Sequence, residues 1–349
     1  MLKILLIFPL IQSIDVQREC DIRLVLGHNY GSNQLKVIAG RDFTVGEYIE
    51  AVPGYVVSNE ATRNSIIDDY VMGWNETHSE VIFGTAALYN HAKVRTIGDY
   101  ADTTEEIDKT SGHIPRALVM VEKEIKKGDE MYFYYGETWF TSRGITELTE
   151  EQTAPAAGSF TPLPGCIGAV AELIDERVFA KTKIYAGEVI ETTRALLVPE
   201  VIADKESIAR LVWHKSHELP RDHNTFHASI ELQVDETGQP WRPPTTRMVV
   251  LPLGFGPFYQ SDINYNVEYS WYPIPSSSSS ISPTEGDNSN SNTNSSIAEL
   301  HCGLTMLVSF RVLRDVEVGE ELTLNLAVDP DTGHRYAHVD FSLDCFDLF

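Results

Sequence analysis

The run Met131-Tyr132-Phe133-Tyr134-Tyr135-Gly136 brings together the residue types best able to do chemistry in this chain. Consecutive aromatics are costly to leave in water, which predicts a largely buried segment. Buried tyrosine hydroxyls require partners, so a tyrosine cluster that stops at a glycine is a candidate chemical site. A second candidate, Asn90-His91, closes the apolar run 81–89. Metal chemistry has less support. The four cysteines, Cys20, Cys166, Cys302 and Cys345, form no CxxC or CxC pair, and their long separations allow disulfides without implying them. His223/His227 and His334/His338 have HxxxH spacing but lie in polar, loop-like stretches, and no HExxH is present. No metal site is expected.

The elements that must position these residues are short strands. Residues 22–26, 35–39 and the stretch after Gly46 read as strands separated by turns rich in Asn and Gly. Residues 118–121 are an apolar strand, and Lys126-Lys127-Gly128-Asp129 turns it into the aromatic run. Residues 146–164, rich in Ala, Pro, Thr and acid, read as a linker. Pro199 suits a helix start, and residues 276–296, mostly Ser, Asn and Thr, cannot bury enough apolar surface to order themselves.

At 349 residues, 42% hydrophobic and 22% charged, the chain is of globular type and long enough for two domains. A formal net charge of -24 disfavours direct nucleic-acid binding and favours a basic protein substrate or tail. No stretch reaches the ~18 apolar residues of a membrane span. Residues 1–13 meet the minimum pattern of a secretory signal and read equally as a buried strand. Localisation therefore stays open: secreted if that segment is a signal, cytoplasmic or nuclear otherwise.

The second half repeats the first. Val178-Phe179-Ala180 and the Gly187-Glu188 turn parallel Val37-Ile38-Ala39 and Gly46-Glu47. Residues 249–259 parallel 81–89, and residues 307–322 parallel 118–131. Three matched blocks in one order indicate one fold used twice.

These blocks resemble the SET domain of protein lysine methyltransferases. The resemblance rests on Asn90-His91-Ala92, on the turn Gly128-Asp129-Glu130-Met131 and on Tyr135-Gly136, with Gly319-Glu320-Glu321-Leu322-Thr323 as the later counterpart. It implies a mainly β fold with short helices (α+β): two SET-like domains, each of small curved β-sheets with a threaded C-terminal segment. The expected layout is 1–19 as an N-terminal segment, 20–145 as the first domain and 146–164 as linker. A degenerate second domain then spans 165–330, and 331–349 is a C-terminal tail. The resemblance further implies S-adenosylmethionine as cofactor, held by Tyr89, Asn90 and His91. Tyr135 would sit beside the transferred methyl, and Tyr132, Tyr134 and Trp139 would line a channel for the substrate lysine. Two departures stand out: Gln34-Leu35-Lys36 replaces the usual Gly-x-Gly, and Leu326 stands where the second copy would carry its tyrosine. The resemblance therefore implies either a protein-lysine methyltransferase acting through the first domain or a non-catalytic SET-like protein that binds basic partners.

Overall fold

The computed structural model describes residues 20–27, 34–63, 65–101, 113–142, 147, 160–166, 168–199, 208, 211–215, 248–272, 305–328 and 335–337. The expectations for 1–19, for 276–296 and for the two HxxxH pairs lie outside these residues. The protein is mainly β. Its helices, among the described residues, are short: Asn59–Thr62, Thr138–Ser142 and three 3-10 turns, Ile66–Asp69, Ala86–Leu88 and Gly256–Phe258.

Two long strands organise the sheets. Tyr48–Ser58 lies between His78–Ile82 and His113–Val121 in a five-stranded sheet. Val189–Pro199 lies between Met248–Pro252 and Thr305–Val312 in a nine-stranded sheet. Each long strand follows a Gly-Glu turn whose glycine, Gly46 or Gly187, has φ of 85° or 84°, a left-handed conformation that a side chain would strain. Pro199, read as a helix start, instead ends a strand, because its neighbours are already committed to the ladder with Met248–Pro252. The expected linker ends in Thr161–Pro162, which pairs with Ile22–Gly27, and the expected tail contributes Arg335–Ala337, parallel to Trp213–Lys215.

Several pairings recur at matching positions. Phe43 bridges Ile125 and Ile38 bridges Glu130; likewise Ile184 bridges Val316 and Phe179 bridges Glu321. Asn90–His91 runs parallel to Tyr132–Phe133, as Gln260–Ser261 does to Thr323–Leu324.

The early and late parts of the chain are closely joined. Cys20 and Cys166 form a disulfide with Cα atoms 5.5 Å apart. Gly84 N donates to Leu253 O at 2.9 Å, and Tyr55 Oη donates to Glu176 Oε1 at 2.5 Å. The Tyr55, Phe83 and Phe258 rings pack together with centroids 5.3–6.4 Å apart, and Arg194 binds the Tyr70 hydroxyl.

Candidate functional site

The 3-10 turn Ala86–Leu88 delivers Tyr89, Asn90 and His91 beside the strand Tyr132–Phe133. Strand alternation sends successive side chains to opposite faces. Met131 and Phe133 are therefore buried, while Tyr132 and Tyr135 are half-buried and Tyr134 is 38% exposed. The aromatic run is thus less buried than its composition predicts.

The structure divides the expected site residues into two groups. The first gathers Tyr89, His91, Tyr135 and Trp139. Tyr135 Oη donates to the Tyr89 carbonyl at 2.6 Å, and Tyr135 N donates to His91 Nδ1 at 3.0 Å. With Nδ1 accepting, the neutral ring carries its proton on Nε2, which faces Glu147 Oε1 at 2.8 Å. That contact holds the Glu147 carboxyl below its usual range, with Lys93 adding to the effect. The ring of Trp139 lies 4.9 Å from that of Tyr135, and that of Phe140 lies 4.7 Å from His91 and 4.8 Å from Trp139. These rings fill one another's contact surfaces. Tyr134 borders the group from its exposed side, its ring 5.5 Å from that of His91.

The second group gathers Asn90 and Tyr132 around an ion pair that sequence reasoning missed. Lys36 Nζ lies 2.6 Å from Glu130 Oε2, with side chains 0% and 1% exposed. Tyr132 Oη donates to the same oxygen at 2.9 Å. Asn90 Nδ2 donates to Glu130 Oε1 at 2.8 Å and to Leu35 O at 3.1 Å. The lysine stem lies against Gly27, where an added Cβ would come 2.6 Å from Lys36 Cδ. The available signal was the repeat: Lys36-Val37 and Arg177-Val178 lie in matched strands, and each basic residue meets the Glu of the later Gly-acid-Glu turn.

At the corresponding late positions Arg177 forms a two-pronged, solvent-facing pair with Glu321. Leu326, buried, occupies the place matching Tyr135, and Ser261 Oγ donates to its carbonyl. Arg335 Nη1 approaches the carbonyls of Pro257 and Tyr259. A cleft of about 330 Å³ lies here, with Asp175, Glu176, Gln260 and Arg335 among its walls.

The residues expected to hold S-adenosylmethionine do not fit it as they are arranged. That cofactor is cationic at its sulfonium. Of Tyr89, Asn90 and His91, expected to hold it, Asn90 is committed to Glu130 and Leu35 and His91 is bonded at both ring nitrogens, while the neighbouring buried carboxylate already carries the lysine cation.

No family model matches the chain, and no curated protein matches it. Solved structures do. One, described as a histone methyltransferase of Plasmodium falciparum, is 21% identical over 34% of this chain and 96% of its own, with a TM-score of 0.26. A humanized mutant of the Chaetomium thermophilum Polycomb Repressive Complex 2 bound to the inhibitor GSK126 is 21% identical over 34% of this chain and 15% of its own, at 0.25. The complex of ctPRC2 with H3K27me3 and H3K27M is 21% identical over 40% of this chain and 17% of its own, at 0.26.

Proposed function

We propose that the chain is a non-catalytic protein built from two SET-like copies, and that it binds basic protein segments without transferring methyl groups. The observation that carries this reading is the buried Lys36–Glu130 pair, which ties Asn90 and Tyr132 into an internal network where a cofactor would need free donors. The recurring bridges and parallel pairings support two copies, with boundaries near 20–145 and 165–330. The net charge of -24 supports a basic partner. The disulfide supports an oxidising compartment, in line with a secretory reading of the N-terminus.

The reading as a methyltransferase draws on one specific observation, the Tyr135 hydroxyl aligned on the Tyr89 carbonyl beside His91. Two such oxygens could orient an uncharged lysine amine toward a methyl donor. Incubation with labelled S-adenosylmethionine and histones separates the two readings. Retention of the histones at low salt with no label transferred supports the binding protein, and label lost in Tyr135→Phe supports the enzyme.

A further inference from the structure

Two glutamates that the site does not use occupy matching positions on the two long strands: Glu50, two residues after Tyr48, and Glu191, two residues after Val189. Each reaches the start of the 3-10 turn that ends in a fully buried tyrosine. We propose that Glu191, with Glu50 as its counterpart, is a buried carboxyl latch that keeps the two turns docked on one another while protonated and loosens that joint when it ionises. The proposal is independent of whether the chain binds a cofactor.

Glu191 is 0% exposed. Its oxygens accept Phe255 N at 3.1 and 3.2 Å. The chain closes over it from two sides: a Cβ at Gly254 would lie 3.0 Å from Glu191 Oε2, and one at Gly165 would lie 2.6 Å from its Cα. The segment it supports is the joint itself, since Leu253 O accepts Gly84 N at 2.9 Å and Leu253 N donates to Arg194 O at 2.8 Å. Glu50 does the same for the partner turn. Its oxygens take Thr85 N at 3.1 Å, the Thr85 hydroxyl and Tyr89 Oη at 3.2 Å, while Gly84 packs on its carboxyl and on Val52. Glu50 is half-buried as a whole residue, so Glu191 is the stronger case.

Among the described residues no cation faces either group. Around Glu191, the opposed strand supplies Phe310, the turn supplies Tyr259 and the 165–166 segment supplies Gly165 and a disulfide cysteine. Arg194, on the same strand, gives Nη1 to the Tyr70 hydroxyl, and its buried Nε has no hydrogen-bond partner among the described residues. Around Glu50 stand Thr85, Tyr89 and, on the opposed strand, Val119. A carboxylate buried without a cation is disfavoured, which shifts both groups toward the protonated form. Desolvation raises Glu191 from 4.5 to about 8 against the opposing pull of its Phe255 and Gly256 backbone donors. Tyr259 Oη, with no hydrogen-bond partner among the described residues, is a further neutral neighbour that fails to offset a charge.

The sign follows. The unfolded chain releases this proton near 4.5 and the folded chain keeps it to about 8, so stability falls as pH rises through that interval. Unfolding of the full chain by urea at pH 6, 7 and 8, with wild type and Glu191→Gln, tests it. The variant should lose one proton of pH dependence, so that its unfolding constant rises about tenfold less per pH unit than the wild type's. Exchange of the Gly84 amide reads the joint directly. In wild type it should accelerate with pH more steeply than the roughly tenfold per unit of base-catalysed exchange, and in the variant it should not. If Glu191→Gln does not fold, Glu50→Gln removes the overlapping carboxyl: an unfolding constant that still rises from pH 7 to 8 upholds the latch, and a flat one overturns it. Equal slopes in the two proteins overturn it as well.

Discussion

Lys36 and Glu130 stand 2.6 Å apart with both side chains sealed from solvent, 94 residues apart in sequence. A pair this buried is a weak source of stability while intact, yet it is expensive to break from one side only. Glu130→Ala, which strands the ammonium, is expected to cost about 3–5 kcal/mol in urea unfolding. Lys36→Met should cost less, because Asn90 and Tyr132 still donate to the carboxylate. Breaking the solvent-facing Arg177–Glu321 pair should shift the urea midpoint far less than Glu130→Ala.

Tyr135→Phe removes one hydroxyl and leaves the Tyr89 carbonyl without that donor. The expected loss is about 0.5–1.5 kcal/mol of stability, read by chemical denaturation. Retention of a basic peptide should be unchanged, because the proposed binding rests on charge.

The Cys20–Cys166 disulfide closes a segment of 146 residues. Loop-closure arguments set its contribution at about 2–5 kcal/mol. Reducing agent should lower the urea midpoint of wild type and leave that of a Cys20→Ser variant unmoved. The same midpoint with and without reductant in wild type would contradict the assignment.

Much of the scaffold was legible in the sequence because strands and turns are local. The Gly46 and Gly187 turns, the strand preceding Lys126 and the order Asn90, His91, Tyr135 all follow from short-range patterns. The contacts deciding the chemistry are not local. Lys36 looked like a lost glycine position, and nothing within ten residues of it announces Glu130. Glu50 attracts no notice in the strand that follows Gly46. Its signal was the repeat itself, Gly-Glu-Tyr-Ile-Glu against Gly-Glu-Val-Ile-Glu, in which the second acid recurs with the first. The aromatic run looked largely buried because hydrophobicity alone does not show that alternate strand residues face outward.

Glu50→Gln tests the weaker of the two latches. Desolvation raises this carboxyl from 4.5 to about 7, opposed by its bonds to Thr85 and Tyr89. A raised carboxyl contributes most where both states are protonated, and that contribution fades as pH rises from 4.5 through about 7. Thermal melts from pH 5 to 7 should show a shallower decline in the variant. Because the residue is half-buried, the change should be smaller than for Glu191→Gln.

Calorimetric titration of the intact chain with S-adenosylmethionine tests the central claim most directly. A first half whose buried carboxylate already carries its own lysine should give no heat beyond dilution. Saturable binding, lost when Asn90 or His91 is replaced, would contradict the account.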